Sequence, residues 1–318
     1  MAGFGATVKK SKEAIIEAKA VEEPVDLDNE DMFSAFAAEQ ERIRKERITA
    51  QFIGLVGYEG CGKSGSVMHA FVNDKHKTPG ALLHCLDFDT GTGMLASAIH
   101  SESDDIVSWN PWSMSKKDRT AFDYPGTHDR VVNIMRYIIE SVERGNPVWG
   151  VLVSDLGSWL EVCNNNMRIS DYGLARDGIE AADTRGAGDA KKVERQSDYG
   201  IRNTRFHQLT HLSRSLVRLG VRVYWETHLK RKDFYNERSE MIPVWENKTN
   251  GYLPTIIWFD KNEEFDDEGE PTKTVYTARF RKARTAPQLQ DQERTVFVTH
   301  AGKEPEWFGL DELFNGAL

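Results

Sequence analysis

The sequence predicts an α/β protein built on a mostly parallel sheet flanked by helices. Three observations predict it. Short apolar runs alternate with amphipathic ones between Gln51 and Trp225. Glycine or proline punctuates the joins between them. The first apolar run leads straight into a glycine-rich segment and then a helix. That alternation is how strand, crossover helix and parallel strand read in sequence.

Each element follows in order. Residues 1–48 stand apart as an N-terminal helical extension: Val8 to Glu23 is rich in Lys, Glu and Ala, Pro24 breaks it, and Asp26 to Asp31 is acidic. Phe33, Phe36, Ile43 and Ile48 then recur at roughly helical spacing. The segment reads either as a partly disordered tail with one surface helix or as an oligomerisation arm anchored by Phe33 and Phe36. Residues 49–318 form the second unit. Phe52 to Val56 is its first buried strand, followed by a helix through Val67 to Phe71, and Ala81 to Leu86 is the second strand. Asp129 to Arg144 places Val131, Ile134, Met135, Ile138, Ile139 and Val142 on one helical face, and Gly145-Asn146-Pro147 stops it. Val148 to Val153 is the third strand. A helix over Tyr199 to Leu219, with Phe206, Leu209, Leu212 and Leu216 inward, ends at Gly220. Val221 to Trp225 is the fourth strand. Thr255 to Phe259 and Thr274 to Phe280 flank an Asp/Glu/Gly/Pro turn and predict a C-terminal β-hairpin, with Thr295 to Val298 as a further strand.

Composition narrows the function classes. The 318 residues are 39% hydrophobic and 29% charged, as in an ordinary soluble globular protein. No apolar run approaches the roughly 20 residues that span a bilayer, so no membrane partner is expected. Met1 to Ala20 has no apolar signal-peptide core. Cys61, Cys85 and Cys163 are few, odd in number and widely spaced, which reads as reduced thiols in a cytoplasmic protein. A net charge of −9 confines any nucleic-acid contact to a local patch.

The most specific signal is Gly57-Tyr58-Glu59-Gly60-Cys61-Gly62-Lys63-Ser64, which matches G-x-x-x-x-G-K-[ST] in full. Its glycines let the backbone N–H groups turn inward as an anion nest. Lys63 is placed for the β- and γ-phosphates and the Ser64 hydroxyl for Mg²⁺. The helix that follows, through Gly65, points the positive end of its dipole at the phosphates. ATP or GTP with Mg²⁺ is therefore the expected ligand. Such a site needs a carboxylate at a neighbouring strand end. Asp155, the first charge after Val148 to Val153, fits that role; the other reading is a helix cap before Leu156. Asp87 and Asp89 fall on one side of the second strand's end, where one could position the attacking water, or both could cap the next helix. Thr227 and His228 end the fourth strand, where open α/β sheets bind ligands. They read as a γ-phosphate sensor or as a loop start.

Taken together these elements resemble the RecA-like P-loop ATPases, closest to phage-encoded RecA-like NTP-binding proteins linked to single-strand annealing. The resemblance covers roughly Gln51 to Pro287. It implies a RecA-like P-loop NTPase core, ATP with Mg²⁺, Lys63 and Ser64 on phosphate and metal, Asp155 holding the metal, and His228 as sensor. Asp89 stands where the family usually has a catalytic Glu, and the shorter side chain implies slow hydrolysis or another residue in that role. Arg279 to Pro287 resembles the family's basic strand end, which in rings and filaments reaches the next subunit's nucleotide. Arg281, Lys282 or Arg284 is the corresponding finger, or else an exposed basic strand end. The location implied is cytoplasmic, in the host cytoplasm for a phage-encoded protein.

Two long loops are placed where such proteins bind DNA. Asn164 to Ser197 carries Lys191 and Lys192. Lys230 to Gly251 interleaves Lys230, Arg231, Lys232 and Arg238 with Phe234, Tyr235 and Trp245, the mixture that single-strand binding uses, though Glu237, Glu240 and Glu246 dilute it. The expectation is a homo-oligomeric ATPase acting on single-stranded DNA in recombination, annealing or replication. The alternatives are a P-loop ring motor or loader acting on a protein partner, and a nucleotide-dependent switch.

Overall fold

A computed structural model describes Ser34, Ala37 and residues 51–309, except 100–103, 117–120, 173–197, 234, 237 and 285. The chain divides into two units, Met1–Arg47 and Ile48–Leu318. In the first, Ser34 and Ala37 are helical; Phe33, Phe36 and the rest of the expected arm lie outside the described residues.

The second unit is α/β, with a nine-stranded, mostly parallel sheet flanked by helices. Strand β1 (Phe52–Gly57) is buried along its whole length. A strand with no polar position must be covered on both faces and paired on both edges. Its parallel neighbours are β5 (Arg222–Thr227), with Leu55 opposite Glu226, and β8 (Thr255–Phe265), with Gly57 opposite Phe259. Beyond β5 follow β4 (Val148–Val153), β2 (Leu82–Leu86) and β3 (Ile106–Trp109), all parallel. Beyond β8 the pairing turns antiparallel through β9 (Pro271–Ala283), β10 (Glu293–His300) and β11 (Glu306–Trp307). The expected hairpin is thus the start of a longer antiparallel arm.

Side-chain alternation sends successive residues to opposite faces, and two cores result. On one face, helix α1 (Lys63–Asn73) lays Val67, Met68 and Phe71 against Ile53, Leu55 and Tyr224; helix α2 (Gly91–Ile99) packs beside it. On the other face, α3 (Tyr124–Glu143), α4 (Leu156–Tyr172) and α5 (Asp198–Arg218) cover Val56, Val151, Val223 and Trp225. Fully burying one such aromatic or aliphatic side chain contributes roughly 1.5–3 kcal/mol.

Boundaries moved where local chemistry overrode periodicity. Helix α3 starts five residues before the expected Asp129, because the Asp123 carboxylate accepts the Gly126 N–H at 3.0 Å and Pro125 fits the first turn. Helix α4 runs to Tyr172, so Asn164 to Tyr172, expected as loop, is helix; Lys191 and Lys192 lie outside the described residues. The stretch expected as one loop after His228 holds a small hairpin, β6 (Leu229–Arg231) with β7 (Met241–Pro243), and a short helix, α6 (Thr249–Tyr252). Among the described residues no helix is long and apolar enough to cross a membrane.

Candidate functional site

The site forms where β1 ends and α1 begins. Gly57 sits so close to its surroundings that an added Cβ would lie 2.6 Å from both the Cys61 sulfur and the Phe259 carbonyl oxygen. Gly62 has φ 88°, and a Cβ there would lie 2.5 Å from the Phe297 ring. Both positions therefore require glycine, for space at the first and for space and left-handed backbone at the second. Tyr58, Glu59 and Gly60 form the exposed crest of the loop, and Cys61 is buried beneath it. Gly65, in the first turn of α1, is buried.

Lys63 folds back inside the loop. Its ammonium donates to the Tyr58 carbonyl at 2.8 Å and the Gly57 carbonyl at 3.3 Å, and it lies 3.7 Å from the Cys61 sulfur. The side chain is buried, so its charge acts in a low-dielectric setting. Burial pushes the Cys61 thiol up, with Lys63 opposing; the thiol is not a reactive thiolate.

Ser64 is the next residue, and its hydroxyl donates to Glu226 Oε2 at 2.9 Å. Glu226 stands on β5 on the same face as Tyr224, and is only 3% exposed. Its other oxygen, Oε1, has no hydrogen-bond partner. Burial pushes the Glu226 carboxyl up to about 7; Lys63 and the Ser64 hydroxyl oppose this, and the charges of Asp89 and Asp87 add to it.

Asp87 and Asp89 meet as expected from alternation. Asp87 accepts the Thr92 N–H at 3.2 Å, the Gly93 N–H at 3.2 Å and the Ser108 hydroxyl at 3.2 Å, which fixes it at the start of α2. Burial raises its carboxyl, but the hydrogen bonds from Asp89, Thr92 and Gly93 prevail and hold it below the usual range. Asp89 moves the opposite way. Partial withdrawal from water is the first cause, and the hydrogen bond to Asp87 the second. Asp89 is the outer and more exposed member of the pair. The Ser154 hydroxyl, from the end of β4, also reaches Asp89 and accepts the Phe88 N–H at 2.9 Å.

Asp155 takes the second of its two expected readings, the helix cap. Its carboxylate accepts Gly157 N–H at 3.0 Å, Ser158 N–H at 3.2 Å and the Ser158 hydroxyl at 2.5 Å. Those bonds cap α4, and a backbone φ of 41° turns the residue into that cap. The structure does not bring it to Ser64; the acidic partner of that hydroxyl is Glu226. Sequence reasoning missed Glu226, although the signal was present: one carboxylate inside the otherwise apolar Val-Tyr-Trp-Glu-Thr run.

Of the sensor pair, Thr227 is buried and its hydroxyl donates to the Val244 carbonyl at 2.8 Å, while the His228 carbonyl accepts the Val244 N–H at 2.9 Å. Both bonds dock the β6–β7 hairpin onto the strand end. Lys230, Arg231 and Lys232 lie exposed on that hairpin, with Lys232 3.7 Å from Glu240. Tyr235 is 94% exposed at its tip, Arg238 is exposed beside it, and Phe234 lies outside the described residues.

Arg281 lies over the Trp258 ring at 4.8 Å and lines a cleft of about 270 Å³ with Arg279, Asp260 and the loop's own Tyr58. The Lys282 ammonium is tied to the Asn250 carbonyl. Burial, then Arg284, lowers its pKa. Arg284 is exposed. Of the three basic candidates, the structure brings Arg281 beside the loop of its own chain.

The fold and site together define an α/β protein with a glycine-rich, lysine-bearing loop at the carboxyl end of a central strand. Searched against protein-family models and against curated proteins, the sequence matches none.

Proposed function

We propose that the chain is a P-loop nucleotide-binding protein. More particularly, it is a RecA-like ATPase that binds and slowly hydrolyses ATP with Mg²⁺, acting as a homo-oligomer on single-stranded DNA. The observation that carries the first statement is the loop itself. Lys63 is buried among the loop carbonyls at the amino end of α1, where its ammonium and the start of the helix together suit an anion.

The chemistry of the donors suits Mg²⁺, a hard cation that takes oxygen ligands. Ser64 supplies a hydroxyl, and Glu226, which accepts its proton, feels the charges of Asp89 and Asp87. Bound there, the metal would neutralise the charge that develops on the phosphates. Lys63 exchanges its carbonyl partners for phosphate oxygens. The loop amides and the start of α1 hold the chain of phosphates in place. Asp89, exposed just past the end of β2, is the residue best placed to orient a water.

The DNA part of the reading is supported by the β6–β7 hairpin. Exposed Lys230, Arg231, Lys232 and Arg238 accompany exposed Tyr235, cations for phosphates and a ring face for a base. The hairpin is docked on Thr227 and His228, so an occupied phosphate site and an occupied hairpin share one strand end. A nucleotide-dependent switch is the second reading. It is favoured by the short side chain of Asp89 and by its engagement with Asp87.

Hydrolysis measured with and without single-stranded DNA tests the proposal. Wild type should turn over slowly and be stimulated by DNA, and Lys63→Ala should do neither. Turnover that ignores DNA would remove the DNA part. Binding without any turnover, unaltered by Asp89→Asn, would leave the switch.

A further inference from the structure

We propose that Glu226, on β5, is the carboxylate that positions the metal-binding hydroxyl of Ser64 and holds the water shell of the ion, the role expected of Asp155. The inference rests on the P-loop reading. It goes beyond that reading by assigning a residue of this chain that the sequence motif does not contain.

The first argument is hydroxyl chemistry. A serine hydroxyl has one proton and two lone pairs. When a lone pair faces a cation, the proton must be turned away and given to an acceptor. Outer partners of this kind fix the orientation of a ligating group. In this chain the acceptor is Glu226 Oε2, at 2.9 Å from the Ser64 oxygen. Asp155 has both oxygens committed to the first turn of α4.

The second argument is topological. β5 is the direct neighbour of β1, and Leu55 pairs with Glu226 three residues before the loop crest begins at Tyr58. β4, which carries Asp155 past its end, is one strand further out. Strands lie about 4.8 Å apart, so Glu226 starts one strand spacing from the loop strand, close enough for its bond to Ser64.

The third argument is the unpaired oxygen. Glu226 Oε1 is buried without a hydrogen-bond partner, and such an atom is costly unless a ligand completes it. Among the described residues no group of three or more His, Cys, Asp and Glu side chains is spaced to hold a metal unaided. Mg²⁺ suits that situation, because it keeps several waters and takes few protein ligands alongside phosphate oxygens. A water of that shell is the natural donor to Oε1.

The test is nucleotide binding by the full chain, followed with a fluorescent ATP analogue in EDTA and then with Mg²⁺ or Mn²⁺. Wild type should bind more tightly with metal. Glu226→Gln keeps the volume and one acceptor but loses the charge, and should lose about 10-fold of the metal enhancement, with Glu226→Ala losing up to about 100-fold. Both should retain the EDTA affinity. Asp155→Asn keeps one capping acceptor at the same reach and should keep most of the enhancement. Full enhancement in both Glu226 variants would overturn the inference. So would an equal loss with and without metal, which marks a structural role, or a larger loss in Asp155→Asn than in Glu226→Gln. If wild type binds no analogue in either condition, the P-loop reading fails itself. A wild type that binds but is indifferent to metal overturns only the assignment of Glu226.

Discussion

Two strand ends face the same loop and use their carboxylates in opposite ways. At the end of β4, Asp155 spends both oxygens on the amide and hydroxyl groups that start α4. Near the end of β5, Glu226 is buried, holds one hydroxyl, Ser64, and keeps one oxygen unpaired. The first arrangement is satisfied by local bonds and stabilises the fold. The second is costly in isolation and is balanced by Lys63, by the Ser64 hydroxyl and by whatever completes the site. A carboxylate after an apolar strand is thus not sufficient to mark a metal residue; what it bonds to decides.

Substitutions can break or sharpen this contrast. The largest effect is expected at the cation both halves of the site share: Lys63→Ala should lower kcat by about 100-fold or more, as loss of a preorganised phosphate contact does, read in a steady-state ATPase assay. Next is the cost of burying Glu226. Burial pushes its carboxyl up to about 7 from an ordinary 4.5. Between those values the folded state binds more protons, so stability falls as pH rises through that window and the full penalty, on the order of 3 kcal/mol, is present above it. Glu226→Gln should therefore raise the melting temperature of metal-free protein at pH 8, with the gain fading towards pH 5. A variant that melts lower at pH 8 would contradict the assigned cost.

Asp155 should behave in the reverse sense. Asp155→Ala removes a helix cap and should cost about 1 kcal/mol, or about 2–4 °C in melting temperature for a unit of this size. Asp155→Asn should cost little. Calorimetric melting of the two variants side by side separates cap from metal role. The smallest effect is expected on the hairpin that β5 leads into. Lys230→Ala and Lys232→Ala should each reduce the salt slope of single-stranded DNA binding by about 1, checked by titrations at several salt concentrations.

Much of this was legible beforehand, and the reason differs by element. The strands β1, β2, β4 and β5 are buried on both faces, so apart from His84 in β2 their sequences carry polar residues only near the tips, and they read clearly. β3, whose Ile106 and Trp109 are only half-buried, offers too short a pattern to read. The β6–β7 hairpin is equally short, and its polar residues hid it in what looked like loop. The phosphate loop was readable because each glycine answers a local demand, as the close approach of Phe259 to Gly57 and Phe297 to Gly62 shows. The partner of Ser64 was not, because it depends on strand order. Only once β5 lies between β1 and β4 does Glu226 rather than Asp155 become the near carboxylate. The antiparallel arm beyond β8 was likewise seen in pieces; its stack of Tyr276, Phe297 and Trp307 against the loop's helix is a long-range contact that no local pattern records.

The most direct measurement is calorimetric titration of the full chain with ATP in the presence of Mg²⁺, wild type beside Lys63→Ala. Saturable uptake of one nucleotide per chain by wild type, lost in the variant, is the expected result. A well-folded wild type that takes up neither ATP nor GTP would contradict the assignment of residues 57–64 as a phosphate cradle, and with it everything built on Ser64 and Glu226.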